Sequence, residues 1–486
     1  MRLRGLDLTI IIVYLGGITL LGVMLRRGQR NLRDYFLGGR TAPWWALALS
    51  IVATETSTLT IIGTPALAFA GNLGFLQLVL GYLAGRVVIV ALFLPHYFRG
   101  EFYTAYEYIE QRFGKRTRAA AATLFLVTRA LAEGVRVAAV ALVFGAAFGT
   151  GPRASIAIVL ALTLLYTFEG GMKAVIWTDV AQTVLYLGGS LAAFFLLLHR
   201  IPGGWTEVAR VSAMAGGKLR VFDFSFSLSD PAKTYTFWPG LAGGCFLTMA
   251  SHGTDQTIVQ RLLAARSERE SKTALLASGA VVFGQFALFL VLGVMLFVWH
   301  CAPAIVPGAS YDWVFPNFMV SAMPAGMRGL MMASILAVAM SNLSGSLNSL
   351  AASSVVDFRN LRGDVKPTDA GSQARLLRLS RWVTLAWGAV LFFLGTINWG
   401  PLLKAGLTIA SITFGSLLGL FLLGFFVRRA NAAGALAGML TGLAAMLVIQ
   451  KEKLLVWTWY VLAGALITFA AGVLVSLVVP RRDSGT

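Results

Sequence analysis

The feature that most constrains this chain is a series of long apolar stretches separated by short basic segments. Crossing a bilayer as a helix requires about 20 mainly apolar residues. Stretches of this kind lie at 7–26, 42–71, 74–97, 119–149, 153–169, 173–199, 236–262, 273–300, 322–356, 378–397, 399–427, 430–449 and 454–479. Only 13% of the residues are charged, compared with about 25% in water-soluble proteins. We therefore expect an all-α membrane protein with about thirteen transmembrane helices, which has lipid as its main solvent.

The net charge is +19, and the positions of the basic residues indicate the membrane topology. Arg and Lys form short clusters between the apolar stretches, and no soluble basic domain that would contact a nucleic acid can be delimited. Cytoplasmic loops of membrane proteins are enriched in these residues. The basic residues concentrate at 26–41, 98–118, 170–173, 261–272, 357–381, 428–429 and after 480. This pattern predicts a multi-pass protein of a bacterial-type inner membrane, with the N-terminus outside and the C-terminus in the cytoplasm.

No pattern in the sequence predicts catalysis. The four histidines are scattered, and no nucleophile motif with a nearby base or metal-ligand spacing is found. The two cysteines, Cys245 and Cys301, are too few for a disulfide framework. We expect that the protein is not an enzyme. A membrane sensor that transports nothing is the remaining alternative of a different class.

Two of the apolar stretches are interrupted by polar residues. The second stretch contains Ala-Thr-Glu-Thr-Ser-Thr at 53–58, and the seventh contains Ser-His-Gly-Thr-Asp at 251–255. Interrupted helices at corresponding places in two halves are typical of inverted-repeat transporters, whose binding sites lie at the interruptions. We therefore expect the backbone to unwind at both places.

The two interruptions divide the chain into repeats of five helices each. The second to sixth stretches form a first repeat at 42–199, and the seventh to eleventh form a second repeat at 236–427. The helix at 7–26 and the two helices within 430–479 are then peripheral. No linker indicates a second domain, so we treat residues 1–486 as one transmembrane domain.

Several motifs occur in the order in which one known family has them. They are DYFLGGR at 34–40, TAYEY at 104–108, RF at 112–113, GGMKAVIWTDVAQ at 170–182, QTIVQR at 256–261 and SNLSGSLNS at 341–349. On these motifs the chain resembles the sodium/solute symporter family, which includes sodium-coupled sugar, proline and sialic acid transporters. The resemblance implies a LeuT-like inverted-repeat fold with 5+5 core helices. It also implies sodium-coupled symport of a small polar solute by alternating access.

The resemblance implies a sodium site between the interrupted second stretch and the ninth stretch. Unwound backbone supplies carbonyl ligands to such a site. The matching positions are the carbonyls of Ala53, Thr56 and Val338 and the side chains of Ser341 and Asn342. The family usually has Ser or Thr where this chain has Asn342, whose amide oxygen reaches farther from the helix.

Resemblance to the sialic acid symporters also implies a second sodium site in some members. Its ligands would fall on Asp179, Ser341, Asn342, Ser344 and Gly345. Because glycine has no side-chain oxygen, the persistence of this site is left open. The spacing alone has another interpretation. Ser341, Gly345 and Ser349 are four residues apart, and small residues at this spacing are typical of close helix packing in membranes.

Glu55 is an ionisable residue in mid-membrane, where insertion costs about 2.5–3.5 kcal/mol. Such a residue needs a partner or a function. Four roles remain open from the sequence: attraction of sodium, binding of a substrate amine, exchange of a proton, and pairing with a buried arginine.

Arg129, Glu133 and Arg136 lie on one face of the fourth helix. Glu133 neutralises one of the two arginines, and Arg86 adds a further positive charge, so an anionic partner or a cavity is expected. By resemblance to the sialic acid symporters, Arg136 anchors a substrate carboxylate, to which a planar guanidinium makes two parallel hydrogen bonds.

The further substrate contacts that the resemblance suggests are Glu55, Ser57, Thr60, Gln77, Thr248 and Ser251. The predicted solute is therefore small, polar and carboxylate-bearing, such as an organic acid, a sialic acid-like sugar or an amino acid. The alternatives are a proton-coupled transporter that uses Glu55 and a sodium symporter for sugars or polyols.

Overall fold

The computed structural model describes residues 5–25, 31–100, 102–306, 309, 311–359, 370–399 and 402–479. Within them the chain is almost entirely helical. The helices are α1 (Gly5–Met24), α2 (Leu32–Leu37), α3 (Trp44–Glu55), α4 (Thr58–Ala70), α5 (Leu76–Val88), α6 (Leu94–Phe98), α7 (Tyr106–Phe113), α8 (Lys115–Phe148), α9 (Pro152–Arg200), α10 (Gly204–Met214), α11 (Gly244–Gly253), α12 (Gln256–Leu263), α13 (Glu268–Trp299), α14 (Val314–Ser321), α15 (Met327–Arg359), α16 (Ala370–Gly395), α17 (Leu402–Phe426), α18 (Ala432–Lys451) and α19 (Tyr460–Val478). A wide helical turn at Ile89–Phe93 joins α5 to α6, and another at Pro239–Gly243 leads into α11.

The long helices are apolar enough to cross a membrane. Among the described residues, eight helices meet a length and hydropathy requirement for spanning, and the bent pair α3–α4 would make a ninth. Each of the thirteen predicted stretches coincides with a described helix or helix pair. Thirteen crossings remain a prediction, because several of these helices are shorter or more polar than that requirement.

Helix α9 contains the fifth and sixth predicted stretches. Gly171 separates them with φ +52° and ψ −152°, a conformation that costs glycine little because it has no Cβ. The chain therefore turns at Gly171 between two helical segments, in agreement with the predicted boundary.

Both predicted interruptions are present. Helix α3 ends at Glu55, Thr56 is extended, and α4 leaves at an angle of 64°. Helix α11 ends at Gly253, and Asp255 precedes α12. Thr56 and Asp255 have the same backbone angles, φ −76° and ψ 122°. This repetition is consistent with the two repeats inferred from the sequence.

Side chains at the interruptions satisfy the freed backbone donors. The Ser57 hydroxyl accepts a hydrogen bond from Thr60 N, and the Thr60 hydroxyl accepts one from Ser57 N, which forms a capping box at the start of α4. The Asp255 carboxylate accepts from Thr257 N at 2.8 Å at the start of α12. Because helix N-termini have unpaired N–H groups, these caps stabilise the start of the helix that follows each break.

The N-terminal helix is attached to α15 through a buried carboxylate. Asp7 Oδ1 accepts hydrogen bonds from Gly326 N at 2.8 Å and from Gly329 N at 2.9 Å, at the start of α15. Arg328 Nε lies 3.8 Å from Asp7 Oδ2. Asp7 therefore caps α15 from a different helix, where the helix dipole also favours a negative charge.

Replacing Asp7 with alanine is expected to destabilise the protein by about 1–2 kcal/mol, because two backbone donors at the start of α15, of which Gly329 N is buried, lose their acceptor. Thermal unfolding in detergent at fixed sodium measures the change. Thr9→Ala is the matched control, since Thr9 is exposed on the same helix and its hydroxyl donates to Gly5 O of that helix. Equal melting temperatures for the two variants would contradict a capping role of Asp7.

Candidate functional site

The interruption between α3 and α4 meets the middle of α15 at Asn342. The amide nitrogen of Asn342 donates hydrogen bonds to Thr56 O at 2.5 Å, Val338 O at 3.0 Å and Ala53 O at 3.5 Å. The three carbonyls that the sequence predicted as sodium ligands therefore converge, and an NH2 group lies at the point where they meet.

The other end of the Asn342 side chain is unsatisfied. Its Oδ1 atom is buried and has no hydrogen-bond partner in the described part of the chain. Leaving a buried acceptor without a partner costs about 1–3 kcal/mol. The carboxamide carries an acceptor at one end and two donors at the other, so a half-turn of the amide would place an oxygen among the three carbonyls.

Ser341, the neighbouring predicted ligand, belongs to a second cluster. Its hydroxyl donates to Asp179 Oδ1 at 2.6 Å, and Ser50 donates to Asp179 Oδ2 at 2.5 Å. Arg261 Nη2 completes the cluster at 2.9 Å from Asp179 Oδ2. Ser344 lies one helical turn along and donates to Ser341 O at 2.9 Å. The structure thus brings Asp179 and Ser341 together, with a guanidinium between their helices.

Glu55 at the end of α3 is paired with a buried arginine. Its carboxylate accepts a short hydrogen bond from Arg86 Nη2, and His252 Nε2 lies 3.3 Å from the same oxygen. Ser251 Oγ is hydrogen-bonded to His252 Nδ1 at 2.8 Å. Of the four roles open for Glu55, this geometry supports the ion pair.

The charges on α8 are balanced by an acid that the sequence reasoning did not include. Glu133 accepts a short hydrogen bond from Arg136 and lies 3.2 Å from Arg129. Arg129 Nη1 is also 3.6 Å from Asp255 Oδ2. Asp255 therefore compensates Arg129 and Glu55 compensates Arg86, and these two acids are the anionic partners that the arginines were expected to need.

One cavity is lined both by a predicted sodium ligand and by predicted substrate contacts. It is lined by Ser57, Thr58, Glu133, Arg136, Asn342 and apolar residues of α8, α9 and α15. Its volume is about 20 Å³, which holds about one or two waters. The Arg136 side chain is 32% exposed, and within the described residues only Nη1 of its guanidinium has a hydrogen-bond partner. The cavity therefore presents guanidinium donors beside the Asn342 amide.

Comparison with known proteins decides the family. The model of the sodium:solute symporter family matches residues 35–442. The chain belongs to this family. The symporter is 28% identical to the sodium/sialic acid symporter SiaT of Proteus mirabilis, over 94% of this chain and 92% of that protein. It is 32% identical to the human sodium/iodide cotransporter, over 88% of this chain and 66% of that protein.

A solved structure gives the same result for the fold. A Na⁺-coupled sialic acid symporter in a substrate-bound outward-open state matches this symporter with a TM-score of 0.87 at 27% identity, over 98% of each chain. The symporter therefore has a LeuT-like fold. It is a multi-pass inner-membrane protein, not an enzyme, and it couples transport of a small solute to sodium by alternating access.

The remaining predicted substrate contacts lie in other places. Thr60 is part of the α4 cap. The Gln77 amide donates to Tyr235 O at 2.8 Å, and its oxygen accepts from Asp223 N at 3.0 Å, so Gln77 fastens the segment after α10. Thr248 is buried against α5, where its Cβ would lie 2.8 Å from a Cβ added to Gly85. Ser251 contacts His252. None of these four is among the residues that line the cavity.

Three residues of the symporter were present in quoted motifs but received no role from the sequence. Asp255 and His252 lie in the second interruption, and Arg261 closes the QTIVQR motif. Ionisable side chains in a membrane segment were a signal that partners were needed. Their partners lie on α3, α5, α8 and α9, and no local pattern identifies them.

Proposed function

We propose that the symporter transports a carboxylate-bearing solute, with Arg136 as the anchor of the carboxylate. The observation that carries the proposal is the grouping of Ser57, Arg136 and Asn342 around one cavity, which has a volume of about 20 Å³ in this structure and widens to admit the solute when the transporter opens. Arg136 retains unused donors there, and Ser57 at the start of α4 adds a hydroxyl. A guanidinium binds a carboxylate through two parallel, charge-assisted hydrogen bonds. The named relatives carry sialic acid or iodide, both of which are anions.

We also propose that Ala53, Thr56, Val338 and Asn342 hold the sodium ion. The support is the convergence of three carbonyl oxygens on one point. Without sodium, the Asn342 amide nitrogen satisfies these carbonyls. When sodium enters, a half-turn of the amide removes the donor and adds Oδ1 as a ligand. Ser341 is a ligand only after a change of partner, since its hydroxyl donates to Asp179.

This arrangement accounts for coupling between ion and solute. Asn342 contributes to the ion site and also lines the cavity with Arg136, so its two orientations shape the wall that the solute contacts. An ion can shift a conformational equilibrium only by binding one state better than another. Sodium would select the state with Oδ1 turned inward, and linkage then requires that the solute strengthens sodium binding by the same factor.

The alternatives receive less support from the geometry. Proton coupling through Glu55 would have to break its pairing with Arg86, which leaves a buried guanidinium without its anion. A neutral sugar or polyol would not use the charge of Arg136. We propose the orientation with the N-terminus outside and the C-terminus in the cytoplasm, on the distribution of basic residues.

A ligand screen tests the proposed solute class. We expect small carboxylates to raise the melting temperature of the purified symporter in detergent only when sodium is present, because a ligand of the folded state stabilises it. Potassium replaces sodium in the matched control. Neutral sugars that stabilise the protein in sodium, with no response to any carboxylate, would contradict the proposal.

A further inference from the structure

The buried cluster around Asp179 contains an ion pair that the symport cycle described above does not use. Asp179 and Arg261 are both fully buried, and so are the two serines that donate to the carboxylate, Ser50 and Ser341. A carboxylate with neighbouring hydroxyl oxygens is the kind of ligand set that suits a hard cation. Here the positive charge is supplied by a side chain.

We propose that the Arg261 guanidinium is a fixed cation that fills this cluster, so that the symporter binds a single sodium ion. The location of that ion, at Ala53, Thr56, Val338 and Asn342, rests on the proposed function. The stoichiometry rests on the contacts of Arg261 and on the absence of a side chain at Gly345.

Gly345 admits the guanidinium. A Cβ added to Gly345 would lie 2.5 Å from Arg261 Nη2 and 3.1 Å from Nη1. Real Cβ atoms essentially never approach other heavy atoms below 3.0 Å. A side chain at this position and the guanidinium in its present place therefore exclude each other. The glycine that removes a candidate oxygen ligand from α15 also makes room for the arginine.

Hydrogen bonds fix the guanidinium on several sides. Nε donates to Ser50 Oγ at 2.8 Å, Nη1 donates to Thr257 O at 2.7 Å, and Nη2 donates to Asp179 Oδ2 at 2.9 Å. Each of the three nitrogens has an acceptor, and one of these acceptors is a backbone carbonyl of the same helix. Arg261 is therefore held in place and cannot move aside without losing buried hydrogen bonds.

The charge balance excludes an additional cation. Asp179 and Arg261 neutralise each other. Ser50, Ser341 and the guanidinium already occupy both carboxylate oxygens, so a sodium ion added there would meet a positive charge and no free carboxylate ligand. Displacing the guanidinium to admit sodium would leave that guanidinium unpaired in the interior, which is strongly unfavourable. For either route, the free-energy cost exceeds the free energy that the already paired Asp179 carboxylate would gain by binding sodium.

The fixed cation also joins four helices without an ion. The cluster contains Ser50 of α3, Asp179 of α9, Arg261 of α12 and Ser341 of α15. The contacts among Ser50, Asp179 and Arg261 do not depend on the sodium concentration. Sodium dependence is then confined to Asn342, the three carbonyls around it and the Ser341 hydroxyl.

Equilibrium binding of radioactive sodium to the purified full chain, without any solute, tests the stoichiometry. The unmodified protein is expected to saturate at one ion per chain with a Hill coefficient near 1. Arg261→Gln is expected to bind two ions, because Asp179 is left without its cation. Arg261→Lys, which keeps the charge, and the double variant Asp179→Asn/Arg261→Gln, which removes both charges, are expected to stay at one.

Two ions bound by the unmodified protein, or one ion bound by a folded Arg261→Gln variant, would overturn the inference. If Arg261→Gln does not fold, Arg261→Met decides, because it also removes the charge but keeps the length of the side chain: two ions support the inference and one overturns it. No sodium bound by the unmodified protein would refute the proposed Asn342 site separately. In that event, one ion gained by Arg261→Gln still supports the fixed cation, and none refutes it.

Discussion

Replacing Asn342 with aspartate is expected to tighten sodium binding about 10- to 100-fold, equivalent to ~1.4–2.8 kcal/mol. Aspartate has nearly the same shape as asparagine but has no N–H to donate. In the absence of sodium, its carboxylate would face the oxygens of Ala53, Thr56 and Val338, all within 3.5 Å of the present amide nitrogen. The ion-free protein loses three hydrogen bonds and gains repulsion, whereas the sodium-bound protein gains a charged ligand.

Two measurements follow from this difference. Without sodium, the melting temperature of Asn342→Asp is expected to fall below that of the unmodified protein. With saturating sodium, the difference shrinks or reverses, because the ion is bound by the folded state. Transport turnover is expected to fall, since an ion held more tightly leaves more slowly.

Asn348→Asp is the matched control for Asn342→Asp. Asn348 lies on the same helix, is fully buried and has no hydrogen-bond partner for its amide atoms in the described residues. An aspartate there is expected to lower stability without changing sodium affinity. If Asn342→Asp bound sodium no better than the unmodified protein, the Asn342 amide would not compete with the ion, and the proposed sodium site would be wrong.

Local features of the site could be predicted from the sequence. Polar residues at 53–58 and 251–255 stand out in apolar helices, and the helices do end at Glu55 and Gly253. The pattern is local because unwinding depends mainly on residues at the break itself. The resemblance to a family then predicted which three carbonyls bind sodium. These carbonyls lie close together wherever the fold of the family is preserved.

Partners on different helices could not be predicted in the same way. Asp255 compensates Arg129, and Arg86 is the partner of Glu55, but each pairing depends on how helices rotate about their axes. Hydropathy patterns do not determine that rotation in a helix whose polar residues are few. The orientation of the Asn342 amide could not be predicted for a related reason, since it depends on which carbonyls lie within hydrogen-bond distance.

The second large effect is expected for Arg136→Ala, which should raise the KM for a carboxylate solute about 30-fold or more. This change corresponds to a loss of ~2 kcal/mol or more of binding free energy. Sodium binding in the absence of solute should be unchanged. The fold should tolerate the substitution, because Glu133 keeps Arg129 at 3.2 Å as its counter-ion. Initial uptake rates into proteoliposomes under a sodium gradient give the KM. Arg153→Ala, at an exposed position at the start of α9, controls for the loss of a positive charge elsewhere.

A neutral analogue of the solute separates recognition of the carboxylate from a structural role of Arg136. The amide or methyl ester of the transported acid cannot use the charge of the guanidinium, so the unmodified symporter should discriminate against it. Arg136→Ala should remove most of that discrimination, because the effects of protein and solute changes are not additive when the two groups are in contact. Arg136→Lys keeps the charge but loses the planar guanidinium, so it should retain part of the discrimination between the acid and its neutral analogue. If Arg136→Ala weakened uptake of the acid and of its neutral analogue by the same factor, Arg136 would act by positioning Glu133, and the carboxylate would bind elsewhere.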